Sequence, residues 1–211
     1  MIKPQASAYF QDLSELLLQA QATGHDGARL SLDEGLNRAV EMMLDAGAAA
    51  RKIILIGNGG SAAIASHIQN DLCKGVGLRA LVFNEQPLLT ALSNDIGYGC
   101  VFEHPIELWA NAGDLLLAIS SSGQSENILR GVKAALARDC HVITLSGFKA
   151  DNQLRQLGSL NFYLPSEVYG LVETAHLALA HCITDNAMHL RRAAAAEVIQ
   201  AEVPVREEEY V

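Results

Sequence analysis

No uninterrupted apolar run in this sequence approaches the ~18 residues that a membrane-spanning helix needs, although half of its 211 residues are hydrophobic. A membrane partner is therefore not expected. The opening Met1-Ile2-Lys3-Pro4-Gln5 has neither the apolar stretch nor the small-residue cleavage site of a signal peptide. The cysteines, Cys73, Cys100, Cys140 and Cys182, show no CxxC pairing and no short regular spacing. Each sits in an apolar or helical context, so buried thiols in a reducing cytoplasm are the expectation. Basic residues are scarce, 15 against 24 acidic ones, for a formal net charge of −9. Non-specific nucleic-acid binding needs clustered Lys and Arg to displace counterions, and direct contact with nucleic acid is not expected here. A small anion is not excluded, because backbone N–H groups can hold a phosphate without a basic side chain. Part of the acidic excess is local, in Arg206-Glu207-Glu208-Glu209, which reads as a solvated tail. There is no low-complexity linker and no repeat of solenoid period.

What is present is an alternation of two patterns. Tyr9, Phe10, Leu13, Leu16 and Leu17 recur at helical spacing. A capping box, Ser31 with Glu34, opens a second amphipathic helix through Leu36, Val40, Met43 and Leu44. Gly24, His25, Asp26 and Gly27 mark the break between the two. After Arg51 come short, apolar, β-branched runs: Ile53 to Ile56, Leu115 to Ile119, Val142 to Leu145 and Leu160 to Leu164. Strands of this length alternating with helices imply a parallel sheet covered on both faces. The chain reads as one α/β domain over 51–190, with a helical extension over 1–50 and a C-terminal helix and tail over 191–211.

Two of these strands end in turns suited to an oxyanion. Gly57-Asn58-Gly59-Gly60-Ser61 joins a strand to a helix, and its glycines let the backbone turn tightly and approach a ligand. Ser61 can cap that helix or donate its hydroxyl. The turn is neither the GxGxxG dinucleotide fingerprint nor a P-loop, whose Lys it lacks. Alone, it is equally a tight βα turn. Ser120, Ser121, Ser122 and Ser125 surround the end of the next strand. Ser125 suits an N-cap, but the other hydroxyls have no evident structural duty and fit a phosphate ester. Two such turns at the carboxyl edge of one sheet form the crevice where α/β folds bind ligands.

The strings GNGGSAA, LLTALSNDIGY and LLLAISSSGQSENIL resemble the sugar isomerase (SIS) domain of phosphoheptose isomerases and their relatives, over about Arg51 to Asp185. The resemblance implies a single SIS domain, a flavodoxin-like three-layer sandwich with a parallel β-sheet flanked by helices. It further implies that the N-terminal extension assembles a homotetramer with active sites at subunit interfaces. By the same resemblance, Asn58, Gly59, Gly60, Asn94, Asp95, Ser120, Ser121, Ser122 and Ser125 match positions that contact a phosphosugar. The serine turn would hold the phosphate, and the first turn with Asn94 and Asp95 would contact the sugar.

His67 and Asp71 stand at i and i+4 on the helix after the first turn and share a face. Glu173 and His176 stand at i and i+3 further on, with His181 beyond. Each could be an ordinary interface or intrahelical pair. Two histidines with two carboxylates are also ligand types that zinc prefers in a site open to water or substrate. In phosphoheptose isomerases the metal ligands fall at the positions of His67, Asp71, Glu173 and His181. This chain has Asp71 where those enzymes have Glu, Glu173 where they have Gln, and Leu171 where some have Arg. Glu173 and His181 are about 12 Å apart along a helix at ~1.5 Å per residue, a span that a ligand from a second subunit would relieve.

The implied activity is an intramolecular oxidoreduction: sedoheptulose 7-phosphate to D-glycero-D-manno-heptose 7-phosphate, for lipopolysaccharide, capsule or glycoconjugate precursors. Asp71 is then the base, His181 the acid, zinc the electrostatic partner, and His176 structural. Glu173 and Ser61 join the substrate contacts. A different class stays in play: non-catalytic tetramers of this fold serve as adaptors for the bacterial replication initiator. A third class, phosphosugar-sensing regulators, carries a DNA-binding domain, and the first fifty residues hold no basic recognition helix.

Overall fold

The computed structural model describes residues 5–202, so the acidic run Arg206–Glu209 lies outside the described residues. Helix α1 (Ala6–Leu18) leads into a hairpin of β1 (Gln21–Gly24) and β2 (Arg29–Leu30), then α2 (Leu32–Ala48). Strand β3 (Ile53–Gly57) is followed by α3 (Gly60–Asp71), which passes into a π-helical turn at Leu72–Val76, and by β4 (Ala80–Val82). Helices α4 (Gln86–Asp95) and α5 (Glu103–Trp109) precede β5 (Leu115–Ser120), α6 (Glu126–Ala137), β6 (His141–Ser146) and β7 (Leu160–Tyr163). The 34-residue α7 (Tyr169–Glu202) ends the described chain and runs without interruption through position 190.

The sheet has seven strands in the order β2-β1-β7-β6-β5-β3-β4. Strands β3 to β7 are parallel to one another, and β1 adds to β7 antiparallel. Neighbouring residues of these strands point to opposite sheet faces, and both faces are covered. Ile53, Leu55, Leu117, Ile119 and Leu145 pack on the side of α1, α2, α3 and α7. Ile54, Ile56, Leu116, Ala118 and Val142 pack on the side of α5 and α6. That double burial is why the strands read as continuous apolar runs rather than as alternating ones.

The capping box forms as expected. Glu34 N–H donates to Ser31 Oγ at 3.2 Å, and Ser31 N–H donates to Glu34 Oε2 at 2.8 Å. The hydrogen bonds from Ser31 hold the Glu34 carboxyl below its usual range. Three features depart from expectation. The break at Gly24 to Gly27 is a hairpin turn, so the first fifty residues contribute strands as well as helices. Short β4 was not foreseen, because its Ala80, Leu81 and Val82 are only half-buried at the sheet edge. Of the cysteines only Cys140 is buried; Cys73 and Cys182 are exposed on outward-facing positions and Cys100 is half-buried. Among the described residues no helix is long and apolar enough to cross a membrane.

Candidate active site

The parallel strands lie in the order β4-β3-β5-β6-β7, so the chain leaves β3 toward one edge and returns on its other side at β5. Between these two strands the connections diverge, and ligands of open α/β sheets bind at such a switch point. Gly57 pairs with Ile119, which sets the end of β3 beside the end of β5. Both turns singled out in the sequence therefore open into one crevice. Gly57 is needed there because a Cβ would lie 2.5 Å from the backbone of Ser61. Gly59, the N-cap of α3, adopts φ +54°, which glycine tolerates best.

The crevice holds a cavity of about 120 Å³ lined by Asn58, Ser61, the four serines of the second turn, Ile119, Tyr169 and Glu173. Ser125 occupies the N-cap position of α6, but its side chain makes no capping bond. Its Oγ lies 3.3 Å from Ser120 Oγ instead, so the hydroxyl assigned to capping belongs to the cavity. Ser120 Oγ accepts from Gly123 N–H and Ser122 Oγ from Gln124 N–H, both at 3.2 Å. These bonds use hydroxyl lone pairs, so the Ser122 O–H and one O–H of the Ser120–Ser125 pair stay free to donate to an anion. Ser121 Oγ is buried with no hydrogen-bond partner among the described residues. A buried hydroxyl in that state costs stability unless a ligand meets it.

Asn58 ties the two turns together. Its Nδ2 donates to Asn127 Oδ1 at 2.9 Å, and its Oδ1 accepts from Asn127 Nδ2 at 2.8 Å and from Tyr98 O–H at 2.9 Å. Sequence reasoning missed Asn127 and Tyr98. Both lie inside the strings quoted above, Asn127 two residues after Ser125 and Tyr98 at the close of LLTALSNDIGY. Beyond Asn58, a second cavity of about 270 Å³ lies between α3, Asn84, Tyr98 and Phe102. Asn94 and Asp95, expected to contact sugar, lie exposed at the end of α4, bonded to each other at 2.9 Å and lining neither cavity.

Helices α3 and α7 pack side by side and bring three of the expected ligands together. His67 Nε2 lies 3.2 Å from His181 Nε2, and Asp71 Oδ2 lies 3.4 Å from His67 Nε2 and 3.8 Å from His181 Nδ1. One donor atom from each of the three falls within 4.8 Å of the others. Two nitrogens held ~2.0–2.1 Å from one tetrahedral zinc would stand about 3.3 Å apart, so the donor set and the nitrogen spacing fit that ion. The shorter acid does reach both histidines. Within this one chain Glu173 lies at the serine cavity, more than two helical turns before His181 on α7, and is not among the three clustered residues.

His176, between them on α7, is fully buried, and its Nε2–H donates to the Ser146 carbonyl at 3.2 Å. Burial pushes its pKa down to about 4. The neutral, enclosed ring matches its expected structural role.

A family model described as the SIS domain matches residues 8–147. It begins inside α1, well before the point at which the sequence motifs start. The phosphoheptose isomerase of Shewanella denitrificans is 33% identical over 164 residues, 74% of this chain and 84% of that protein. The structure of the phosphoheptose isomerase of Neisseria gonorrhoeae superposes with a TM-score of 0.73 at 30% identity, covering 86% of this chain and 95% of its own. That of Francisella tularensis gives 0.75 at 25%, covering 87% and 96%.

Proposed function

The chain belongs to the SIS-domain family, and from that premise we propose that it is a phosphosugar isomerase acting on sedoheptulose 7-phosphate. The product is D-glycero-D-manno-heptose 7-phosphate. One observation carries the reading: a hydroxyl-lined anion cavity and an acid–histidine group lie along the same pair of helices, α3 and α7. The likeness to phosphoheptose isomerases of three genera supports the choice of sugar. Glu173 marks the cavity and His181 the reactive group, about 12 Å apart along α7 at ~1.5 Å per residue. A long sugar chain with its phosphate at the far end from the carbonyl suits that separation.

In this reading the serine turn binds the phosphate and the Asn58 amide meets the sugar. Asp71 takes the proton from one of C1 and C2 and returns it to the other through an enediolate. His181 moves a proton between the two oxygens. His67, Asp71 and His181 would hold zinc, which when bound supplies Lewis-acid stabilisation of negative charge on the sugar oxygens. Asp71 Oδ2 faces the histidines while Oδ1 accepts a hydrogen bond from Asn70 Nδ2 at 3.2 Å. The carboxylate is thus oriented by groups on both sides.

The protein is further proposed to be a homotetramer whose neighbouring subunits close the site. Tyr9, Phe10, Leu18, Val168 and Tyr169 are exposed on α1 and at the start of α7, and Tyr169 lines the serine cavity. Such an apolar surface at the rim of a cavity suits burial against a second copy. The decisive experiment is a coupled assay of purified protein with sedoheptulose 7-phosphate, with and without zinc. Turnover supports the enzyme; its absence under both conditions would favour an adaptor of the replication initiator.

A further inference from the structure

Among the described residues no Lys or Arg lines the serine cavity, and it contains a carboxylate. A Cβ placed on Gly60 would lie 2.6 Å from Cδ and Oε2 of Glu173 and 2.7 Å from Oε1. The Glu173 carboxyl group therefore rests flat against the Cα of Gly60, the first residue of α3, and uses the space that a side chain there would fill. Negative charge is favoured at that end of a helix. A second observation marks the same cavity as a place for an oxyanion: Ser121, one of its lining residues, has a buried Oγ with no partner among the described residues.

We propose that Glu173 is an internal counter-anion that keeps free inorganic phosphate out of the serine cavity. The proposal rests on the sugar-phosphate reading of that cavity. A phosphate entering alone must either sit beside a like charge or displace the Glu173 side chain. Phosphate contacts alone do not compensate that cost. A whole sugar phosphate brings additional contacts along α3 and α7, and those contacts drive the displacement. Selectivity then comes from a repulsion aimed at the smaller competitor as well as from attraction to the larger ligand. Gly60 is part of the device, because any larger residue would expel the carboxylate from its seat.

The test is a calorimetric titration of inorganic phosphate into wild type, Glu173→Gln and Glu173→Ala at neutral pH and low salt. A like charge a few ångströms away in a partly buried site weakens anion binding by roughly tenfold or more. Both variants should therefore bind phosphate at least ~10-fold more tightly than wild type. Phosphate should likewise become a stronger competitive inhibitor of any sugar-phosphate turnover. Unchanged, weaker or undetectable phosphate binding in both variants would overturn the proposal. Tightening in Glu173→Gln alone would trace the effect to the new amide donor and overturn it too. Failure of the isomerase reading shows separately, as absence of wild-type turnover on sedoheptulose 7-phosphate, while the phosphate titration still reports on Glu173.

Discussion

The serine cavity and the His67–Asp71–His181 group share two helices but are built differently. The cavity is assembled from strand ends, tight turns and backbone amides, and its Ser120 and Ser121 are 5% exposed. Its geometry is fixed by the sheet register, by Gly57 against Ser61, and by the amide pair of Asn58 with Asn127. The second group hangs from the sides of two helices, with side-chain exposures of 52% for His67, 28% for Asp71 and 36% for His181. One region takes its shape from the backbone and turns of the sheet edge. The other takes its shape from side chains alone, extended from the surfaces of two helices.

The comparison is broken most severely at Asp71. If binding and chemistry are separate, Asp71→Asn should lower isomerase turnover by ~10²–10⁴-fold while leaving sugar-phosphate affinity nearly intact. Single-turnover kinetics beside equilibrium binding would show the split. Full activity in Asp71→Asn would move the base elsewhere. Loss of binding together with turnover would mean that the two regions act as one.

The reverse experiment is the double replacement of Ser120 and Ser122 by alanine. Hydrogen bonds to a charged group are worth roughly 1.5–3 kcal/mol each, so affinity for the sugar phosphate should fall at least tenfold. The protein itself loses two bonds at 3.2 Å from backbone N–H groups, the one at Ser120 buried, and the 3.3 Å contact of Ser120 Oγ with Ser125 Oγ, so folding should survive at a modest cost in stability. Unchanged affinity would place the phosphate site elsewhere, with the cavity of about 270 Å³ beyond Asn58 as the next place to look.

The same contrast governs what was legible in the sequence. Buried parallel strands declare themselves as short runs such as Ile53-Ile54-Leu55-Ile56, and turn chemistry declares itself in glycine and serine at fixed offsets. The serine cavity could thus be read almost residue by residue. The side-by-side packing of α3 and α7 cannot be read that way, since nothing local in HIQND or HLALAH says which faces will meet. His67 and Asp71 share a face by spacing alone, but the arrival of His181 beside them and the placing of Glu173 at the serine cavity are tertiary facts. The hairpin at Gly24 to Gly27 was missed for a related reason: β1 is four residues long and acquires its pattern from pairing with β7. Exposed Cys73 and Cys182 show the limit of inferring burial from apolar neighbours on a helix.

The smallest expected effect sharpens the contrast at the one place where α7 joins the two regions. His176 lies between Glu173 and His181, yet it belongs to neither; it is 0% exposed and bonded to the Ser146 carbonyl at the end of β6. A carbonyl can only accept, so Nε2 carries the proton, and Nδ1 is left buried without a partner among the described residues. Charging the ring would place a proton on that enclosed nitrogen, and burial accordingly lowers the folded pKa from 6.5 to about 4. The unfolded chain therefore binds this proton first as pH falls. Stability from the neutral ring is fully present above the unfolded pKa and is lost progressively as pH drops from 6.5 toward 4. The loss is on the order of 1 kcal/mol near pH 5.5 and a few kcal/mol near pH 4. Urea unfolding of wild type and His176→Gln across that range would measure it. The variant should lack this component of the pH dependence and should still bind the sugar phosphate at neutral pH. A wild-type stability curve as flat as the variant's would show that His176 is protonated in place. Loss of sugar-phosphate affinity in a folded His176→Gln would show that the buried ring couples the cavity to the reactive group, and the two regions would then have to be treated as one.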